Sequence, residues 1–541
     1  MSVKKKLIKN TIVNYAIRFW GFIITFILLW YIVKQVGDED YGIYLFITAI
    51  IGYFGMLDLG IGNSHIKFIA EYYAKKDEEK LNEVINTTFF IFLIVGIVGA
   101  VILFIIGTFL LTYLESVLPA LESPDFHTKA RTIIYILAAN FIFSLSLTSL
   151  RGVLAGLQRY DIIAVISVIM SLVNITVVFL VLSSGYGIIE LVFYQTATGL
   201  FAFILVAVYI RRLLPFVSLK FSYLQRKMLR TLLRMSMSVF LLTVFVSVIY
   251  YTDRVVIALF VDIGLVTSYY IAWKLYLIPA QVPAIGLYAM IPAASELDAK
   301  QDFKALKSMF LRGTKYVIAL CFALAVPVIF LSREILILWM GAEYGQFYLI
   351  VIILIIALFF DFNNYVASQI LIGMNRIKKF VKYYGITALL NLGLSLFLVS
   401  RGYGLVGVAL GTTIPFVVME VFFLRHTFKV LGIKWREYAR GIMAKTLPYA
   451  GMSAAVMLVL LLIHRPDVQD PVGLMNTIIA SIVPGTYFII GFIVFIIPFY
   501  YKGLDDHERQ DIRNILSNLK LRKKSMDTKT DVSNDKDEEK Q

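Results

Sequence analysis

Fourteen stretches of this chain are apolar over the length that a bilayer imposes on a helix. A hydrocarbon core about 30 Å thick takes roughly 20 residues at a rise of 1.5 Å each. Windows of that length fall near residues 11–33, 41–64, 84–112, 130–150, 160–183, 187–210, 236–260, 264–290, 314–332, 346–371, 379–400, 404–424, 441–463 and 474–499. Barrel strands would read instead as alternating segments of about ten residues. With 59% of residues hydrophobic and 16% charged, the composition is far from that of a soluble domain. The expected fold is an all-α polytopic membrane protein with about fourteen transmembrane helices.

The first run follows Lys4, Lys5, Lys6 and Lys9, as a signal peptide would. It is too long for an h-region and lacks a small-residue cleavage site, so it reads as an uncleaved first span. The one cysteine, Cys321, lies inside an apolar run, so no disulfide within the chain is expected.

The apolar runs repeat. Gly156 to Gly187 reappears at Gly373 to Gly404, shifted by 217 residues without a gap. Arg159 matches Arg376, Asn174 matches Asn391, and Ser183-x-Gly185-Tyr186-Gly187 matches Ser400-x-Gly402-Tyr403-Gly404. Upstream, Glu71, Lys75, Asp77 and Leu81 match Glu296, Lys300, Asp302 and Leu306 at a shift of 225. The fifth span thus matches the eleventh, so the halves keep one orientation, as parallel repeats do. The expected plan is a six-helix lobe over 1–212, a linker over 213–235, a second six-helix lobe over 236–426, two extra helices over 427–500, and a tail over 501–541. Duplicated lobes around a midplane site are a transporter architecture.

Net charge is +15, and its placement explains it. With a cytoplasmic N-terminus and fourteen spans, 42 Lys and Arg fall on the cytoplasmic side, six outside and three within spans. That asymmetry orients the protein with both termini cytoplasmic in the cell membrane. Basic loops facing anionic lipid account for the surplus, so no nucleic-acid partner is expected. The linker interleaves Arg226, Lys227, Arg230 and Arg234 with Leu224, Met228, Leu232 and Leu233. It reads as a basic amphipathic segment on the inner leaflet, or equally as a solvated linker with snorkelling side chains. From Ser525 the tail holds six acids and three lysines with almost nothing apolar, and disorder is expected there.

No Gly-x-x-x-x-Gly-Lys-Ser/Thr loop and no His-Glu-x-x-His is present, and the five histidines are scattered. An enzymatic role is therefore the least favoured, and no cofactor or metal site is expected. What remains are charges inside spans, each costing roughly 2.5–3.5 kcal/mol on insertion scales and marking a pathway or a partner. Arg18 lies mid-way along the first span, Asp253 and Arg254 in the outer part of the seventh, and Lys274 in the outer half of the eighth. Asp58 is deep in the second span and Asp361 in the tenth. If the spans bearing Arg18, Arg254 and Lys274 face the axis between lobes, three cations meet in one cavity suited to an anionic cargo. The structural alternative pairs Arg18 with Asp58 and Lys274 with Asp253.

Asp361 sits in Phe360-Asp361-Phe362-Asn363-Asn364, which suits either helix packing or a coupling proton or Na⁺. Asn174 and Asn391 read as bridges between helices. Tyr31, Tyr41 and Tyr44 read as an interfacial belt. Trp20, Tyr250, Tyr251, Tyr269, Tyr270, Trp273 and Tyr276 would either pack helices or line a cavity that stacks on sugar rings. Gly52, Gly55, Gly60 and Gly62 interrupt the second span, and Pro279, Pro283 and Pro292 the eighth. Matched irregular helices point to a moving gate.

These residues together resemble a family. Val36-Gly37-Asp38-Glu39-Asp40-Tyr41-Gly42, Leu57-Asp58-Leu59-Gly60-Ile61-Gly62, Gly156-Leu157-Gln158-Arg159, Tyr250-Tyr251-Thr252-Asp253-Arg254 and Tyr269-Tyr270-Ile271-Ala272-Trp273-Lys274 follow in the order and spacing of one group. That group is the polysaccharide-type branch of the multidrug/oligosaccharidyl-lipid/polysaccharide exporter superfamily, with its 6+6+2 plan. The resemblance implies a flippase that moves a polyprenyl-pyrophosphate-linked oligosaccharide from the cytoplasmic to the external leaflet. It assigns Arg18, Arg254 and Lys274 to the pyrophosphate, and the last two spans to a groove for the lipid tail. It implies membrane lipid as a further contact, and a glycan polymerase or glycosyltransferase as a partner. Two alternatives remain: a cation-coupled drug antiporter of the same superfamily, which usually has twelve spans and acids in a lobe cavity, and a non-transporting scaffold for glycan synthesis.

Overall fold

A computed structural model describes residues 20–510 and 513, except for 22, 59, 111, 114–123, 285–286, 288–289, 467 and 469–473. Among the described residues there is no strand. Within lipid the backbone has no water to bond, so it closes its own hydrogen bonds as helices. Eleven of these helices are long and apolar enough to cross a bilayer. The other three expected spans are the first, part of which lies outside the described residues, and the second and eighth, each divided into two pieces. The expected tail disorder also falls outside the described residues.

In the first lobe, α1 (Ile23–Val36) is followed by α2 (Asp38–Phe54) and α3 (Ile61–Lys75), which share the second span. Then come α4 (Glu78–Ile105), α5 (Pro124–Gly156), α6 (Tyr160–Ser183) and α7 (Ile188–Leu213). The second lobe holds α8 (Arg226–Phe260), α9 (Ile263–Ala284) with α10 (Met290–Ala299), α11 (Phe303–Met340), α12 (Tyr348–Gly373), α13 (Lys378–Ser400) and α14 (Gly404–Leu431). Finally α15 (Trp435–Ile463) and α16 (Leu474–Pro498) pack on each other and on α11. Their outer faces carry exposed apolar residues such as Leu462, Ile463, Ile482 and Ile489, as a lipid-facing surface must.

The sequence repeat is a repeat of local geometry. Asp77 caps α4 by accepting from the Lys80 amide at 3.1 Å, and Asp302 caps α11 by accepting from Ala305 at 2.9 Å. Glu71–Lys75 and Glu296–Lys300 are matched i,i+4 ion pairs. Positive φ recurs as well, at 56° in Lys76 and 55° in Gln301, at 57° in Gln158 and 55° in Asn375, and at 81° in Gly185 and 84° in Gly402. Left-handed turns end the corresponding helices at corresponding places, and the residue itself is kept only where it is glycine, at Gly185 and Gly402.

The breaks in the second and eighth spans also correspond. A 3-10 turn over Gly55–Asp58 and left-handed Gly60 (φ 66°) separate α2 from α3. Pro279 and Pro283 lie in the last part of α9, ahead of α10. The two lobes meet where α2 and α3 pack on α8 and α9. At the end beside the α1–α2 turn, Thr267 donates to the Asp38 carbonyl at 2.7 Å and the Tyr344 hydroxyl donates to the Asp38 carboxylate. Mid-way, the Tyr53 and Thr252 hydroxyls are 2.8 Å apart. At the opposite end, beside the start of α8, the Ser64 hydroxyl donates to the Leu232 carbonyl at 3.3 Å.

The connection between lobes is tied to α4. Asn82 and Asn86 each bond two backbone groups of residues 216–220, and the Thr87 hydroxyl donates to the Tyr223 carbonyl and accepts from the Gln225 amide. From Arg226 the chain is helical and runs directly into the seventh span. Arg226 to Arg234 are therefore the first turns of α8.

Candidate functional site

α8 and α9 bring Arg254 and Lys274 to the seam between the lobes. The Arg254 guanidinium lies 4.7 Å from the Tyr270 ring centre, 5.3 Å from Trp273 and 5.6 Å from Tyr251. The Lys274 ammonium lies 4.8 Å from the same Tyr270 ring and 5.8 Å from Trp273. Tyr270 and Trp273, three residues apart on one helix face, are stacked with centres 5.7 Å apart. Two cations thus share one aromatic wall.

Arg254 opens into a cavity of about 430 Å³ within the second lobe, together with Tyr250, Tyr251, Trp273, Tyr276 and Gln281. Lys274 opens into a smaller cavity of about 150 Å³, where Tyr270 meets Thr25, Tyr41, Tyr44 and Gln195 of the first lobe. Tyr41 and Tyr44 were expected in an interfacial belt. They lie instead at the lobe seam, because α2 turns that face toward α9. Tyr250, Tyr251, Tyr270, Trp273 and Tyr276 do line cavities, and Tyr269 is packed in the core.

Among the described residues, neither Arg254 nor Lys274 makes an ion pair with a carboxylate. Asp253 points elsewhere. It accepts from the Tyr269 hydroxyl at 2.7 Å, and the Thr412 hydroxyl lies 3.0 and 3.1 Å from its two oxygens. Asn391 donates to Thr412 at 2.9 Å, so it bridges α13 and α14 as its place in the repeat suggests. The tie between Lys274 and Asp253 is therefore not formed. Aromatic faces hold a cation without neutralising it, at about 2 kcal/mol each when desolvated. Both charges stay available to an anion. Arg18 lies outside the described residues. Asp58 ends the 3-10 turn of the second span, and its side chain is likewise outside the described set.

Asp361 belongs to a different constellation, in which Glu420 of α14 is the residue that sequence reasoning missed. Asn364 donates to Glu420 at 2.9 Å and to Asp361 at 3.2 Å, so one amide joins the two carboxylates. Asn363 donates to the other Glu420 oxygen at 2.9 Å and accepts from the Tyr438 hydroxyl at 2.7 Å. Asp361 and Glu420 are both buried, and neither makes an ion pair among the described residues. The signal for Glu420 was present, as a lone acid inside the apolar run 404–424. Among the described residues no group of three or more His, Cys, Asp or Glu is arranged for a metal ion.

Comparison with known proteins places this geometry. Residues 7–298 match the family described as "Polysaccharide biosynthesis protein". A Shigella flexneri protein named "Putative O-antigen transporter" is 24% identical over 449 residues, covering 78% of this chain and 97% of that protein. Among solved structures, lipid II flippase MurJ in an inward closed conformation superposes with a TM-score of 0.68 at 16% identity, covering 90% of this chain and 98% of MurJ. An inward-facing multidrug resistance MATE family transporter of the MOP superfamily gives 0.66 at 14% identity, covering 78% and 98%. The fold is the one those transporters share. By the match over more than half its length, this multi-pass membrane chain belongs to the polysaccharide biosynthesis protein family.

Proposed function

We propose that the protein is a flippase for a polyprenyl-pyrophosphate-linked oligosaccharide, working by alternating access from the cytoplasmic to the external leaflet of the cell membrane. The observation that carries this is the pair of membrane-embedded cations, Arg254 and Lys274, on one aromatic wall at the lobe seam with no carboxylate partner among the described residues. A pyrophosphate entering the seam exchanges its water for charge-assisted bonds to a planar fork and a point charge. Arg18, outside the described residues, is assigned to the same pyrophosphate by the family resemblance alone. Tyr250, Tyr251, Trp273 and Tyr276 offer apolar faces for sugar rings in the larger cavity. A third cavity, of about 330 Å³, lies between α11 and α16 and is lined by Leu331, Ile335, Leu338, Trp339 and Phe488. Its apolar lining suits the polyprenyl chain. A glycan polymerase or glycosyltransferase acting on the same lipid-linked sugar is the partner this role implies.

The test is binding. Native mass spectrometry of the purified protein with a short polyprenyl pyrophosphate is expected to show a retained adduct, lost in the R254Q/K274Q variant. Equal retention of the uncharged polyprenol would contradict the cationic site.

Coupling belongs with Asp361 and Glu420, with the buried Asp253 as a further acid on the pathway and Asp58 as a candidate whose side chain lies outside the described set. Two uncompensated carboxylates joined by one amide can exchange a proton or Na⁺ for the strain of like charge in lipid. Transport by D361N/E420Q is expected to become insensitive to an imposed proton or Na⁺ gradient while adduct formation persists. A variant that still responds to both gradients would remove these residues from coupling.

A further inference from the structure

Far from the lobe seam, at the ends of α11 and α15 where the tail begins, another cavity of about 400 Å³ is open, lined largely by charged side chains. Lys304, Arg312 and Lys315 of α11, Lys445 of α15, and Asp505 and Glu508 beyond α16 line it. Lys315 and Glu508 form a buried pair at 2.5 Å, with side chains 4% and 2% exposed. Glu508 also accepts from the Asp505 amide at 2.9 Å, which fixes the start of the tail. Lys445 pairs with Asp505 at 2.6 Å, but that carboxylate is 64% exposed. Lys307, also on the wall, is tied to Glu437 at 2.6 Å. Among the described residues, Lys304 and Arg312 have no ion pair. The cavity therefore holds more positive charge than its own carboxylates offset.

Two further features mark it. The helices beside it widen into π-turns, at Ala439–Met443 and at Phe499–Gly503, a distortion that recurs at functional sites. Gly441, on the cavity wall, has open space where a Cβ would stand. Tyr500 and Tyr501 precede the tail, with Tyr501 59% exposed, and set this level at the membrane interface.

We propose that this cavity binds the phosphate headgroup of an anionic lipid in the adjoining leaflet, held by Lys304, Arg312 and Lys445, with Asp505 as the group it displaces. The exposed Lys445–Asp505 pair contributes little and exchanges readily, whereas the buried Lys315–Glu508 pair keeps the tail anchored throughout. An anionic leaflet concentrates such headgroups at this depth, which favours lipid over soluble phosphate.

The experiment titrates the full-length protein with phosphatidylglycerol, phosphatidylcholine or inorganic phosphate and reads retained adducts by native mass spectrometry. One phosphatidylglycerol is expected to be held in preference to phosphatidylcholine, and K304Q/R312Q should weaken it about 30-fold. Gly441→Leu, which fills the space without removing a charge, should do the same. K379Q/K382Q, on another helix end, should leave it unchanged. Thermal unfolding read alongside identifies any variant that fails to fold, and K304Q/R312Q alone then carries the test. Unchanged phosphatidylglycerol binding in folded K304Q/R312Q, or an equal loss in K379Q/K382Q, would overturn the site. Retention of inorganic phosphate with no preference between the two lipids would overturn the lipid assignment in favour of a soluble phosphate.

Discussion

Replacing Arg254 and Lys274 together by glutamine is expected to cut translocation of a pyrophosphate-linked oligosaccharide by about 10²- to 10⁴-fold. Each charge-assisted bond to phosphate is worth about 1.5–3 kcal/mol, so two give about 3–6 kcal/mol. The variant should still fold. Neither cation anchors an ion pair among the described residues, and the Tyr270–Trp273 stack stands without them. Their removal also relieves a cost of roughly 2.5–3.5 kcal/mol per buried charge, so thermal stability should hold or rise. Arg254→Lys keeps the charge and loses the fork, and an intermediate rate is expected. Measured in liposomes at equal protein content, a double variant with the wild-type rate would mean that the cations serve only packing.

The second large effect is expected at Gly42. A Cβ there would overlap the Ile263 carbonyl, so the backbones of α2 and α9 touch at the end of the lobe seam beside the α1–α2 turn. Thr267 and Tyr344 close the same end through Asp38. Gly42→Val cannot be absorbed by a side-chain movement alone, because the obstacle is main chain. Overpacking of this kind costs typically 1–3 kcal/mol, and the lobes relieve it by parting at that end. If the two lobe arrangements differ by a similar amount, a shift of about 3 kcal/mol moves their populations by roughly 10²-fold. Spin labels at Asp125 and Glu343, in a Cys321→Ala background, are expected to move apart in Gly42→Val, with transport falling in step. An unchanged distance would show that this end of the seam does not gate.

The two predictions rest on features of unequal legibility. The spans could be read because lipid leaves a long apolar run no fold but a helix. The lobes could be read because the repeat survives where backbone geometry restricts the choice of residue, at capping Asp77 and Asp302 and at left-handed Gly185 and Gly402. Arg254 and Lys274 stood out as charges in apolar surroundings. What could not be read is helix phase. Adjacency alone makes Asp253 and Arg254 point apart, but it does not dictate that one meets Thr412 and the other the cavity. Tyr41 and Tyr44 look like belt residues until α9 is seen packed against them. Glu420 joins Asp361 through an asparagine 56 residues away in sequence, a relation that no local pattern carries. The Lys315–Glu508 pair joins residues 193 apart across the membrane surface and was equally invisible.

The central claim is that the seam carries a pyrophosphate-linked glycan across the membrane. The most direct test places purified protein in liposomes with a fluorescent polyprenyl-pyrophosphate oligosaccharide on one leaflet and an external quencher. The account predicts protein-dependent movement of the label, abolished in R254Q/K274Q. No movement of the lipid-linked sugar, with export of a cationic dye against a proton or Na⁺ gradient instead, would contradict it and assign the protein to drug antiport.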